Sequence, residues 1–248
     1  MKDKAKQKII KYIIRASKQY GLICEGDTIA VGVSGGKDSL VLLESLATLK
    51  SYGKIKFNLV AITINMQGSQ DKYEPIKELT KKLDVPYHIV DTNIFDIIFD
   101  IRQEKNPCSL CAKMRRGALC EKAKELGANK IALGHHADDF VETFFMSLIY
   151  EGRLSTFMPT TYLSKTEVTC IRPMIFCQEK DVSSASKDLP IVKNSCPADK
   201  HTKRQYIKEL VSQIKHENKT AEINMLNALT HPERYNLLDK LDINSDEE

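Results

Sequence analysis

No apolar stretch in the 248 residues reaches the ~18 needed for a helix to cross a bilayer. The basic opening also lacks the apolar core of a secretory signal, so the sequence predicts neither a spanning helix nor export, and a cytoplasmic location is expected. There is no internal repeat, and the only biased tract is the acidic end, Asp246-Glu247-Glu248. Strong net charge is absent too: 37 Lys and Arg against 33 Asp and Glu leave +4. That charge is uneven, however. Lys2, Lys4, Lys6, Lys8, Lys11, Arg15 and Lys18 crowd the N-terminal segment, where a basic face suits a phosphate-rich partner or plain solvent. The cysteine count is odd, at seven. Without an export signal this argues against a disulfide framework and for thiols that bind a metal or pack in a core.

What is present is organised around residues 28–40, where a β-branched apolar run breaks into Ser34-Gly35-Gly36-Lys37-Asp38-Ser39 and resumes at helical spacing through Leu40, Val41, Leu43 and Leu46. This pattern reads as strand, phosphate loop and helix. Glycines let backbone approach an anion, and the first turn of a helix offers unpaired N–H groups and the positive end of its dipole. It is not a Walker loop, because the position five residues before the second glycine is Val31. Ser-Gly-Gly-Lys-Asp-Ser resembles the pyrophosphate-binding loop of the ATP pyrophosphatases, which implies ATP cleavage between the α and β phosphates and contacts from Ser34, Gly35, Gly36, Lys37, Asp38 and Ser39.

Strands are predicted next at 57–64, 86–90, 130–133 and 168–173, with helices between them, giving an α/β doubly wound parallel sheet of about five strands. Residues 1–20 read as a basic amphipathic helix, 21–218 as the main domain and 219–248 as a tail, while 153–167 read as irregular. In open parallel sheets ligands lie at the strands' carboxyl ends, which directs attention to Ile64 for adenine and to Gly134-His135-His136-Ala137-Asp138-Asp139 after the fourth strand. Cleavage at the α phosphate needs a metal across the phosphates, so Asp38 with Asp138 or Asp139 are the candidate Mg²⁺ or acid–base carboxylates, with Lys37 as the cation on pyrophosphate.

Cys108 and Cys111 sit where a loop opens a helix, a position that favours thiolates. Cys196, in Asn-Ser-Cys-Pro, is the third candidate; Cys24, Cys120, Cys170 and Cys177 lie in or beside apolar stretches and are expected in the core. Three thiolates suit a four-iron cluster with one open iron or a zinc with one exchangeable position, and Cys-x-x-Cys alone also fits a redox dithiol.

Several ordered motifs carry a more specific likeness: Glu25-Gly26-Asp27, Ile64-Asn65-Met66, Cys108-Ser109-Leu110-Cys111 with Arg115-Arg116-Gly117, Gly134-His135-His136, Ile171-Arg172-Pro173-Met174 and Glu179-Lys180-Asp181. Together, across roughly residues 20–205, they resemble the tRNA 2-thiocytidine synthetase family. That resemblance implies an adenine nucleotide alpha hydrolase-like fold, a [4Fe-4S] cluster on three cysteines, ATP and Mg²⁺, and replacement of a pyrimidine 2-oxygen in tRNA by sulfur. It implies tRNA contacts from Arg115 and Arg116, a pair matching the cytidine branch, and a sulfur donor that is a cysteine desulfurase or free sulfide. The family's usual Pro-Cys-x-x-Cys context is reduced here to Cys196. No membrane partner is expected, and a homodimer is left open. Two other readings share parts of the pattern: an amide- or amine-forming ligase of lysidine synthetase type, and an iron–sulfur or sulfur-carrier protein regulated by nucleotide without an RNA substrate.

Overall fold

The computed structural model describes residues 2–102, 107–192 and 203–234. In chain order these form α1 (Lys2–Tyr20), β1 (Thr28–Gly32), α2 (Lys37–Ser51), β2 (Asn58–Asn65), α3 (Glu74–Lys82), β3 (Tyr87–Asp91) and a short turn α4 (Ile94–Asp96) that runs into a π-helical turn, Ile97–Ile101. There follow α5 (Pro107–Glu125), β4 (Lys130–Ala132), α6 (Ala137–Glu151), β5 (Thr160–Leu163), β6 (Val168–Ile171), α7 (Glu179–Ala185), α8 (Lys203–Glu217) and α9 (Ala221–Thr230).

Among the described residues six strands make one sheet, ordered β3-β2-β1-β4-β6-β5. The five expected strands are parallel, and the sixth, β5, pairs antiparallel with β6 at the edge. Alternation along β1 divides the core. Ile29 and Val31 face the layer built by Ile9 and Ile13 of α1, Leu40 and Leu43 of α2 and Val182 of α7. Ala30 faces the opposite layer, with Leu119 and Ala123 of α5. The sheet is therefore covered on both sides, as buried parallel strands require.

The N-terminal helix is part of this core. Ile9 and Ile13 are fully buried, while Lys6 and Lys8 reach Glu44 and Asp181, each at 2.7 Å. Two such side chains contribute about 1.5–3 kcal/mol each by leaving water. Beyond residue 218, where the sequence pattern fades, α9 packs against α6 and α8. Strand order reverses between β1 and β4, whose chains leave in opposite directions, and the crevice between their carboxyl ends is where this topology places a ligand.

Candidate functional site

The loop from Val33 to Gly36 enters α2 without a side-chain cap on Gly36, so the first turn presents its backbone to whatever sits above it. The loop is held from within. Ser39 Oγ donates to the Gly36 carbonyl at 2.9 Å and accepts from the Ser34 N–H at 3.1 Å. Gly35 has φ +86° and its carbonyl accepts from the Val192 N–H at 3.0 Å. Gly134, at the end of β4, lies so close to α2 that an added Cβ would meet the Asp38 backbone at 2.9 Å. Glycine is thus required here by contact, and the approach brings the β4 loop onto the first turn of α2.

These elements enclose a cavity of about 530 Å³. Ser34, Asp38, Ser39, Ile64, Gly134 and Asp139 line it. Its β2 and α5 side is apolar, with Ile62, Ile64, Ala112 and Leu119; four arginines, 115, 116, 172 and 204, also face it. A planar apolar group and a polyanion are the ligand halves such a wall accommodates.

Lys37 stands at the edge of this arrangement. Its Nζ is 2.8 Å from Asp38 Oδ1 and 3.4 Å from Glu179 Oε1, and Glu179 is also 3.1 Å from Lys208 of α8. Burial opposes the Lys37 charge, but the two carboxylates outweigh it and raise the pKa.

The two neighbouring carboxylates of α6 have different environments. Asp138 is buried, 6% exposed, and accepts from Lys215 Nζ at 2.6 Å and from the Glu179 N–H at 2.7 Å. Burial would raise its pKa, yet His136, Lys215 and the Glu179 N–H hold it far below the usual carboxylate range. Asp139 instead faces the cavity, accepts from the His136 N–H at 3.0 Å and pairs with Arg204 at 3.3 Å. Asp38 Oδ1 and Asp139 Oδ2 lie 3.8 and 3.6 Å from the same atom, His136 Nε2. Two carboxylates from separate strand ends therefore converge, which suits a divalent cation bridging phosphates. Of the expected pair, Asp138 is the one committed to holding α7 and α8 in place.

His136 is buried among Asp38, Asp138 and Asp139; burial would lower its pKa, and the three carboxylates raise it. His135 behaves oppositely. Burial pushes it down to about 4, so it is neutral at pH 7, and its ring packs on Phe157 at 5.1 Å. Arg172 is 7% exposed, donates from Nη1 to the Met158 carbonyl at 2.6 Å and lies over Phe157. Sequence reasoning gave no site role to Arg172 or Arg204. The Ile-Arg-Pro-Met motif was a signal for Arg172, whereas Arg204 is recognisable only once α8 packs on α6.

Cys108 and Cys111 lie one turn apart at the start of α5 and open onto a second cavity of about 650 Å³. Cys108 is exposed, Cys111 half-buried, and Cys111 Sγ lies 3.5 Å from Met66 Sδ. Ser34, Ile64, Ala112 and Arg115 line both cavities, so the two sites are contiguous. The pair fits as two ligands of one metal centre. Cys196, the third candidate, lies outside the described residues, and no group of three or more metal-binding side chains occurs among those described. Cys120, Cys170 and Cys177 are buried as expected, and burial raises all three thiols. Cys24 corrects the expectation of a core thiol. It is exposed, because the turn before β1 points it outward, with Lys130 Nζ 3.7 Å away.

With this geometry in place, comparison with known proteins is specific. A family model described as PP-loop domain matches residues 3–217. The chain is 37% identical over 215 residues to tRNA-cytidine(32) 2-sulfurtransferase of Alcanivorax borkumensis, covering 85% of this chain and 76% of that protein. It is 35% identical over 246 residues to the Geobacter sulfurreducens protein of the same name, covering 96% of this chain and 95% of that one. In fold it is similar to the U34-tRNA thiolase NcsA from Methanococcus maripaludis, solved with its [4Fe-4S] cluster: TM-score 0.71 and 23% identity, over 93% of this chain and 80% of that one.

Proposed function

The chain belongs to the PP-loop domain family and groups within it with the tRNA-cytidine(32) 2-sulfurtransferases, and on that premise we propose that it is an ATP-dependent tRNA sulfurtransferase forming 2-thiocytidine. One observation carries the reading from this chain's own residues: the phosphate loop and the Cys108/Cys111 pair face contiguous cavities that share four lining residues. Activation and sulfur delivery can then act on one base without its release.

ATP lies with adenine on the apolar wall around Ile62 and Ile64 and its phosphates on residues 34–39, where the α2 N-terminus and Lys37 hold pyrophosphate. Asp38 and Asp139 carry Mg²⁺. The 2-oxygen of cytosine attacks the α phosphorus, the α–β bridge bond breaks and pyrophosphate leaves, so a poor leaving oxygen becomes part of AMP. Hydrosulfide then adds at C2, and AMP departs with the base oxygen; no net electrons are transferred. Cys108, Cys111 and Cys196 would hold a [4Fe-4S] cluster, which would supply a binding position for the sulfur nucleophile. Arg115 and Arg116 take RNA phosphates, and the base must leave its stack to reach the cavity. The reading carries a cytoplasmic location, a catalytic body over 21–218 flanked by the basic helix over 1–20 and the C-terminal segment over 219–248, and a donor that is a cysteine desulfurase or free sulfide. It is compatible with a homodimer.

The test is anaerobic incubation of the reconstituted protein with Mg²⁺, ATP, tRNA and labelled sulfide. AMP, pyrophosphate and labelled 2-thiocytidine are expected in equal amounts; ADP and phosphate, or label without dependence on ATP, would overturn the proposal.

A further inference from the structure

The cavity beside the cysteine pair has a wall for which the reaction so far gives no use. Ile94 and Ile98 are 4% and 0% exposed and anchor the turn that follows β3. Phe95 and Phe99, the next residue in each case, are only half-buried, and both line the cavity. Their rings pack with centroids 4.7 Å apart and planes 38° from parallel, and Phe99 belongs to the π-helical turn, an irregularity that recurs at functional sites. Two half-buried aromatic side chains, with Ile94 and Ile98 beside them, thus line the chamber that also holds Cys108 and Cys111.

We propose that the Phe95–Phe99 pair is the stacking platform for the unstacked target cytosine. The inference rests on the tRNA reading above and adds to it where the base sits. Two observations select a nucleotide of RNA as the occupant. The chamber continues into the nucleotide cavity through Ser34, Ile64, Ala112 and Arg115, so a base stacked here borders both the phosphate loop and the thiols. Its rim is cationic: Arg115 lines it, and Lys72 lies there with its ammonium on the Gln67 carbonyl at 2.6 Å and over the Tyr73 ring. A base on an aromatic face with its phosphate on a cation is how single-stranded RNA is held.

The experiment uses the full-length, cluster-reconstituted protein, a non-hydrolysable ATP analogue, and an RNA anticodon hairpin with fluorescent pyrrolocytidine replacing the target cytidine. Stacking should quench the fluorophore on binding. The Phe95→Leu/Phe99→Leu double variant should abolish the quench and weaken hairpin binding about tenfold or more. The corresponding double tyrosine variant should restore both, which separates stacking from misfolding. Absence of quenching by the wild type, equal quenching by the leucine variant, or failure of tyrosine to rescue would each overturn the proposal. Thiolation of the natural hairpin is measured beside it. Active wild type whose leucine variant keeps the quench and an unchanged KM rejects the platform alone, whereas a wild type that makes no 2-thiocytidine rejects the tRNA reading.

Discussion

Asp138 and Asp139 are adjacent and both in the first turn of α6, yet they do separate work. Asp138 is enclosed by Lys215, His136 and the Glu179 N–H, so its charge is spent holding α7 and α8 against α6. Asp139 points into the cavity. Asp138→Asn should therefore cost about 1.5–3 kcal/mol, because the charge-assisted bonds from Lys215 and the Glu179 N–H are weakened while Lys215 keeps Glu222 as a second partner at 3.2 Å. Asp139→Asn keeps an oxygen acceptor for the His136 N–H and should cost no more than about 1 kcal/mol while lowering AMP formation at least a hundredfold. Urea denaturation beside an AMP assay separates the two; equal stability losses would refute the division. Gly134 makes a second residue-scale case. Gly134→Ala forces a methyl against the Asp38 backbone at 2.9 Å, and backbone cannot rotate away as a side chain can. A stability loss of about 1–3 kcal/mol is expected, together with weaker ATP binding by calorimetry, because the β4 loop must lift off α2.

Among the elements, the starts of β1 and β4 are joined by Asp27, which is 5% exposed and accepts from Lys130 Nζ at 2.7 Å, Asn129 Nδ2 at 2.8 Å and the Cys24 N–H at 2.7 Å. Burial would raise its pKa, but these donors outweigh burial and lower it below 3.8. A carboxylate depressed on folding contributes stability above its unfolded pKa, and that contribution is lost as pH falls through the folded value. Asp27→Asn should destabilise the protein at pH 7 by about 3–5 kcal/mol, since Lys130, its side chain only 12% exposed, loses its counter-ion, and should flatten the loss of stability below about pH 4. Urea midpoints from pH 3 to 7 check both limbs. The strands β1, β2, β4 and β6 were legible because most of their residues are buried and so read as apolar runs, and β3 through Ile89 and Val90 between turn signals. β5 was not, since Thr160, Thr161 and Tyr162 are exposed at the sheet edge and leave no apolar period to detect. The phosphate loop was legible as a local pattern. The different tasks of Asp138 and Asp139 were not, because they are set by Lys215 and Arg204, more than 60 residues away, and adjacent residues give the same sequence signal.

At the scale of the whole molecule, nucleotide and thiol sites share a chamber but are built from different parts of the chain. The phosphate loop belongs to β1 and α2 and is bonded to Val192; the thiols belong to α5. Their shared border is Ser34, Ile64, Ala112 and Arg115; Lys37 pairs with Asp38 and Glu179, whereas Cys111 Sγ lies against Met66 Sδ. The two half-reactions should therefore be separable by single substitutions. Lys37→Ala should retain the visible absorbance of the anaerobically reconstituted protein and lose pyrophosphate release, because a charge-assisted contact of about 1.5–3 kcal/mol is removed at the leaving group. Cys111→Ala should lose that absorbance and all sulfur incorporation, yet bind ATP with an affinity within about twofold of wild type, since Cys111 lines the second cavity and not the nucleotide cavity. Cys120→Ala, which empties only a small buried volume behind α5, should keep both activities and serves as the thiol control. Calorimetry with an ATP analogue, a visible spectrum and labelled-sulfide incorporation, measured on the same three preparations, decide the matter. If Cys111→Ala lost ATP affinity as severely as Lys37→Ala, the two sites would form one cooperative unit, and sulfur delivery would depend on the thiol centre ordering the phosphate loop.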